Sequence, residues 1–259
     1  MDLTFWDKQI NRATELSSQS AAEELLNFYA SVLSAQRRVY EFLVKKALEF
    51  FDEPSADLKL LTEAMPIVLK AVEDTGSSQL QNEMELLKAS TPDQIFNVLR
   101  DYLDQRLPTQ FFAKALFQPY GRLRWESGAR PIIYTREEPR VCPYCNGRPQ
   151  VSSLQFDVSS DVANRSLICA TCLFSWPFRR GTCANCGEES PSKLAYFQAE
   201  ENNHVRVETC ESCRSYIKTV DLTKLGTAVP LVDDVASAAL DLWATEKGYS
   251  KIEINLVGL

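Results

Sequence analysis

The sequence predicts an α+β protein: an N-terminal α-helical bundle, two tandem four-cysteine metal ribbons and a C-terminal helix. Three observations predict it. Apolar residues recur at helical spacing, between caps and prolines, up to about Tyr120. All eight cysteines then fall in four C-x-x-C pairs, and a last amphipathic stretch follows Asp233-Asp234. The expected division is a helical domain over 1–125, a first ribbon over 126–181, a second over 182–225, and a C-terminal helix and tail over 226–259.

The helices follow in order. Ser20-Ala21-Ala22-Glu23 has the form of a capping box. Behind it Leu25, Leu26, Tyr29, Val32 and Leu33 make one apolar stripe of a long helix that runs toward Phe51. Asp52-Glu53-Pro54-Ser55 ends it, because proline cannot continue the hydrogen-bond ladder. A second helix is expected from about Ala56 to Glu73 with a kink at Pro66, and a third from Gly76-Ser77-Ser78 to Lys88. Thr91-Pro92-Asp93-Gln94 sets a cap, a first-turn proline and a glutamine three residues on, opening a helix to about Arg106. Thr109 caps one more, which is expected to end near Tyr120-Gly121.

Pro131, Pro139 and the charges from Arg136 to Arg140 lead into the cysteine block, with strand-like Ile132, Ile133 and Tyr134 between. The pairs are Cys142/Cys145, Cys169/Cys172, Cys183/Cys186 and Cys210/Cys213, and the second two repeat the first two at an offset of 41 residues. This is an internal duplication. Arg165 corresponds to Arg206 and Phe156 to Phe197. Two residues between cysteines let a tight turn aim both sulfurs at one ion, and a second pair completes a tetrahedron of thiolates. The 23 residues between the inner cysteines of each copy suit a hairpin somewhat longer than the usual ribbon. Leu154, Phe156 and Val158 alternate with polar residues, as do Val205 and Val207, and Phe174, Trp176 and Phe178 after the second knuckle. Tyr216 and Lys218 hold the matching place in the second copy, and Asp161 to Asn164 and Glu200 to Asn203 supply the hairpin tips. Two three-stranded ribbons follow.

The repeat favours sequential sites, one from Cys142, Cys145, Cys169 and Cys172 and one from Cys183, Cys186, Cys210 and Cys213, over an interleaved exchange of knuckles. Four thiolates suit zinc and a rubredoxin-like iron alike. Met1 to Ile10 holds Asp2, Asp7 and Lys8 and lacks an apolar core, so no signal peptide is expected. In a reducing compartment clustered cysteines bind metal more often than they form disulfides. Beyond them, a helix from about Val235 to Lys247 stops at Gly248, with Val235, Ala239, Leu242 and Trp243 on its packing face, and Ile252 to Leu259 make a tail or short edge strand.

Charge and composition narrow the function. Hydrophobic residues are 45% and charged residues 24% of 259, as in a folded soluble protein, and no apolar run approaches the roughly 20 residues of a membrane helix. Residues 1–120 carry net charge −6, 121–220 carry +2 and the remainder −3. The middle stretch holds 13 basic residues, 11 of them arginine, yet a dedicated nucleic-acid domain is more strongly basic. His204 is the sole histidine and reads as an exposed hairpin-tip residue. Arg165 and Arg206 read as strand residues paired with Asp or Glu, and Trp176 as a packed strand residue rather than a stacking platform. No Gly-rich phosphate loop, nucleophile elbow or H-E-x-x-H is present, so no catalytic residue is assigned.

With these motifs laid out, the chain resembles the formate dehydrogenase accessory proteins of the FdhE type. The resemblance rests on Arg140-Val141-Cys142-Pro143-Tyr144-Cys145, on Cys169-Ala170-Thr171-Cys172 followed by Trp176, and on Cys183-Ala184-Asn185-Cys186. It also rests on Arg206-Val207-Glu208-Thr209-Cys210-Glu211-Ser212-Cys213, on Asp233-Asp234-Val235-Ala236-Ser237 and on Glu246-Lys247-Gly248-Tyr249. It implies a helical domain carrying two rubredoxin-like or zinc-ribbon-like modules, with the eight cysteines as ligands to two metal ions, iron or zinc. It further implies a cytoplasmic, non-enzymatic maturation factor that binds the catalytic subunit of respiratory formate dehydrogenase. The chain departs where the family often has glycine directly after the first knuckle: here stand Asn146 and then Gly147. The rival expectation is a zinc-ribbon protein binding nucleic acid, and a third is a thiol oxidoreductase or sulfur carrier.

Overall fold

The computed structural model describes residues 3–18, 22–46, 54–73, 76–105, 110–128, 139–156 and 162–259. The chain divides into two compact units, residues 1–129 and 130–259. The described part of the first unit is six helices: α1 (Thr4–Ser17), α2 (Glu23–Lys46), α3 (Pro54–Val72), α4 (Ser78–Lys88), α5 (Pro92–Gln105) and α6 (Phe111–Glu126). α2 packs against α1, α3 and α6 through Leu26, Val32, Leu33, Val39 and Leu43, all buried. Burying a stripe of that kind contributes about 1.5–3 kcal/mol per large aliphatic side chain.

Two helices depart from the sequence expectation. α1 has no counterpart in it, because Gln9 and Arg12 share the buried stripe with Trp6 and Ala13 and break the apolar pattern. α6 runs past Gly121 to Glu126. An interior glycine costs about 1 kcal/mol, but tertiary bonds hold this one in the helix. The Tyr120 hydroxyl donates to Asp57 at 2.6 Å, Arg124 pairs with Asp57 at 3.2 Å, and the Tyr40 hydroxyl donates to Glu126 at 2.5 Å. The cap of α5 forms as its sequence dictates: Thr91 N–H donates to Gln94 Oε1 at 2.8 Å, and Gln94 N–H to Thr91 Oγ1 at 3.3 Å. The expectations for Ser20, Ala21, Asp52, Glu53, Thr109, Ile132, Ile133, Tyr134, Arg136, Val158 and Asp161 lie outside the described residues.

The second unit is built on one sheet. Its strands are β1 (Pro149–Phe156), β2 (Ala163–Cys169), β3 (Ser175–Pro177), β4 (Leu194–Gln198), β5 (Val205–Cys210), β6 (Ser215–Asp221) and β7 (Ser250–Lys251), in the order β3-β2-β1-β6-β5-β4 with β7 beside β6. The two expected ribbons are therefore fused: β1, first strand of the first copy, pairs in parallel with β6, last strand of the second, from Val151↔Lys218 to Leu154↔Asp221. That junction places β1 and β6 in the middle of the sheet. Most of their residues are buried on both faces, so the alternation expected of half-buried strands is lost there.

The C-terminal helix is two helices, α7 (Pro230–Ala236) and α8 (Ala238–Glu246), in place of the single one expected over 235–247. Buried charge explains the break. Lys218, fully buried on β6, donates to the carbonyls of Asp234 and Ser237 and to the Ser237 hydroxyl at 3.1 Å. It also pairs with the carboxylates of Asp234, at 3.0 Å, and Asp241. Lys251 on β7 meets the same two carboxylates at 2.8 and 3.1 Å. The helix opens because a buried ammonium claims main-chain oxygens that an unbroken helix would use itself. Nor are residues 252–259 a tail: Ile252, Asn255 and Leu256 are buried, and Asn255 donates to Asp234 at 3.1 Å. Among the described residues no helix is long and apolar enough to cross a membrane.

Candidate metal centres

Each C-x-x-C pair ends in the same backbone turn. The residue directly after it has a left-handed conformation in all four cases: Asn146 (φ 58°), Leu173 (φ 59°), Gly187 (φ 82°) and Arg214 (φ 55°). Three of these are not glycine, a choice that costs roughly 1 kcal/mol each. Hydrogen bonds hold the turn. Asn146, Leu173 and Gly187 N–H groups donate back to the carbonyls of Cys142, Cys169 and Cys183 at 2.8, 3.2 and 3.0 Å. The same three cysteines donate their N–H to the carbonyls of Gly147, Phe174 and Glu188 at 2.8–2.9 Å. Thr171 and Asn185 N–H groups point at the sulfurs of Cys169 and Cys183 at 3.3 and 3.4 Å.

The knuckles meet in sequential pairs. Cys142, Cys145, Cys169 and Cys172 form one cluster, and Cys183, Cys186, Cys210 and Cys213 the other, with all four sulfurs of each within 4.8 Å of one another. In the first, Cys142–Cys172 and Cys145–Cys169 sulfurs are 3.4 Å apart; in the second, Cys183–Cys213 and Cys186–Cys210 are 3.7 Å apart. None is bonded as a disulfide. Four sulfurs at about 2.3 Å from a central ion stand about 3.8 Å apart in a tetrahedron. Both clusters fit a metal ion on that geometry. Burial pushes the Cys183 thiol up to about 12, whereas at Cys213 bonds from Ser215 and Asn185 outweigh burial and bring the thiol down to about 6.

The copies are also tied to each other. Arg140 and Arg148, flanking the first knuckle, donate to the carbonyl and side-chain oxygens of Asn185 in the third knuckle at 2.8 and 2.5 Å. Arg165 and Arg206, equivalent by the repeat, both pair with Glu208, at 2.6 and 2.7 Å. Arg165 also bonds the carbonyls of Arg179 and Thr182 in the segment joining the copies. Arg179 pairs with Glu189 and Arg214 with Glu211. Each of these arginines thus has a partner within the second unit. Trp176 is buried, donating its indole N–H to the Pro139 carbonyl at 2.7 Å, so it offers no stacking face. His204 is not the exposed residue expected. Its side chain is 14% exposed with Nε2 2.8 Å from Asp233 of α7, and it belongs to neither cluster.

Two glycines near the sulfurs carry a prediction. A Cβ on Gly147 would lie 2.9 Å from Cys169 Sγ and from Thr171 Oγ1, and 3.1 Å from Cys145 Sγ, so Gly147→Ala crowds the first cluster directly. A Cβ on Gly187 meets nothing closer than Arg140 at 3.7 Å, so Gly187→Ala brings only left-handed strain, about 1–2 kcal/mol. Metal analysis of the two purified variants is expected to find one cluster's worth of metal missing from Gly147→Ala and none missing from Gly187→Ala.

A helical unit and a duplicated sheet with two four-cysteine clusters define the class: a protein with two candidate closed metal centres. The description "FdhE, C-terminal domain" matches residues 182–257, which include the second cluster, α7 and α8. A "Protein FdhE homolog" of Aquifex aeolicus is 32% identical over 201 residues, 74% of this chain and 68% of its own. Another, of Haemophilus influenzae, is 26% identical over 270 residues, 96% of this chain and 87% of its own. The crystal structure of the FdhE protein from Pseudomonas aeruginosa shares the fold, with TM-score 0.74 and 22% identity over 100% of this chain and 97% of that one. The chain belongs to the FdhE family, the formate dehydrogenase accessory proteins.

Proposed function

We propose that this protein is a non-enzymatic maturation factor of the cytoplasm that binds the catalytic subunit of respiratory formate dehydrogenase. In this reading Cys142, Cys145, Cys169 and Cys172 hold one metal ion, iron or zinc, and Cys183, Cys186, Cys210 and Cys213 hold another. The observation that carries it is the pair of sequentially assembled sulfur clusters at near-tetrahedral spacing in a chain of this family. When bound, either metal cross-links two knuckles, and iron adds one-electron chemistry. Four protein ligands leave no open position for a substrate, which supports a role in shaping a binding surface rather than in catalysis. Arg140 and Arg148, which flank the first knuckle, bond Asn185 of the third and so tie the two clusters together.

The test is capture of partners by the anaerobically purified protein from cells that make formate dehydrogenase. It is repeated with Cys142 and Cys145 changed to serine and, separately, with Cys183 and Cys186 changed to serine. Wild type is expected to retain the catalytic subunit and each double variant to lose it. Retention of nucleic acid alone would overturn the reading in favour of the ribbon-type nucleic-acid protein.

A further inference from the structure

The two clusters share a backbone plan and differ in what covers them. In the first, Cys142 and Cys169 have no exposed surface, Cys172 is 2% exposed and Cys145 is half-buried. The rings of Tyr144 and Phe174, one from each knuckle, lie 4.4 Å apart. Gly147 fits so closely against the Cys145 and Cys169 sulfurs that not even a methyl group can be added. In the second, Cys186 is exposed and Cys213 half-buried. The offset of 41 places Asn185 where the first copy has Tyr144, and Ser215 where it has Phe174. These two make a single hydrogen bond, Asn185 Nδ2 to Ser215 Oγ at 2.9 Å, in place of the aromatic pair. A cavity of about 150 Å³ also opens onto this cluster, with Cys183, Cys210 and Ser215 in its wall beside Arg206 and Tyr196.

We infer that the centres divide their labour: the second exchanges its metal ion with small chelating ligands in solution, through Cys186, while the first retains its ion. The inference rests on the reading that the eight cysteines bind two ions. Exchange at a four-thiolate centre requires an outside donor atom to approach as one thiolate leaves. At the second centre Cys186 is the thiolate that gives way. Cys186 is the exposed residue of its set, and the polar Asn185–Ser215 pair lets water and polar ligands approach. The incoming donor replaces it bond for bond, so the oxidation state is unchanged, and any proton on the donor passes to the departing thiolate. At the first centre the same approach meets two aromatic rings and buried sulfurs.

The experiment uses the full chain loaded with zinc under anaerobic conditions. Excess EDTA is added and released zinc followed with a coloured indicator, while parallel samples are alkylated with N-ethylmaleimide for increasing times and mapped by peptide mass. The expected result is two release phases of equal size and different rate. Cys186 and Cys213 should be alkylated before any of Cys142, Cys145, Cys169 and Cys172. Asn185→Tyr with Ser215→Phe, which transplants the aromatic pair, should slow the fast phase, and the wild-type alkylation order carries the test if that variant does not fold. Release of both ions at one rate, or earlier alkylation of the first cluster, would overturn the inference and leave the two-ion reading standing. A chain that takes up no zinc and no iron would overturn both.

Discussion

With the eight cysteines holding two metal ions as proposed, removing both ions from the anaerobically purified protein is expected to unfold residues 130–259 and leave the helices of residues 1–129 in place. The asymmetry follows from where the cysteines are. All eight lie in the second unit, at knuckles that lead into β1 and β4 or end β2 and β5. Three knuckles hold non-glycine residues in the left-handed region, and without an ion only the local hydrogen bonds of each turn stand against that strain and the close approach of sulfurs at 3.4–3.7 Å. Small structural sites contribute on the order of 10 kcal/mol each, whereas a whole domain is stable by about 5–15 kcal/mol. Near-ultraviolet circular dichroism from buried Trp176 should therefore collapse on chelation, while the far-ultraviolet helical signal largely survives. Retention of the Trp176 signal in fully metal-free protein would show that the sheet's apolar core suffices.

Asp241→Ala is expected to destabilise the second unit by about 3–5 kcal/mol, because it leaves Lys218 buried with half its counter-charge gone. Lys218, Lys251, Asp234 and Asp241 form a neutral group of two cations and two anions, closed by Gln150, Asn255 and the Tyr216 hydroxyl. Burial pushes Lys218 below the ordinary lysine range although Asp234 and Asp241 draw it up. At Asp234 burial works upward, yet Lys218 and Lys251 together outweigh it and hold the carboxyl down to about 2 against an ordinary 3.8. A depressed carboxylate stabilises the fold above its unfolded-state value and loses that contribution as pH falls toward its folded-state value. The stability gap between wild type and Asp234→Asn, measured by urea denaturation, is thus expected to be full above pH 3.8 and to close as pH falls to about 2. A gap that does not change across this window would mean that Asp234 is not held as a carboxylate by the two lysines.

The cysteine knuckles were legible because their chemistry is local: two residues between cysteines, repeated at a constant offset, need only the adjacent backbone to form a turn. The α5 cap was legible for the same reason, since Thr91 and Gln94 are three residues apart. The burial of Lys218 was not. A lysine alternating along a strand reads as facing water, and its carboxylate partners come from helices that follow it by 16 and 23 residues. His204 misled for a related reason, because a hairpin tip is exposed unless a later helix covers it, and Asp233 on α7 does so.

What the sequence by itself determined are the four cysteine knuckles and the helical character of the described residues up to Glu126, both set by short-range spacing, while it favoured the sequential grouping of the knuckles over an interleaved one. Only the tertiary structure decided that the copies share one sheet through β1 and β6. It also decided that the C-terminal helix breaks over a buried lysine, and that the second cluster has one exposed cysteine, Cys186, where the first has none. Each of these depends on segments distant in the chain competing for the same backbone groups, charges or surface, a competition that no local pattern encodes.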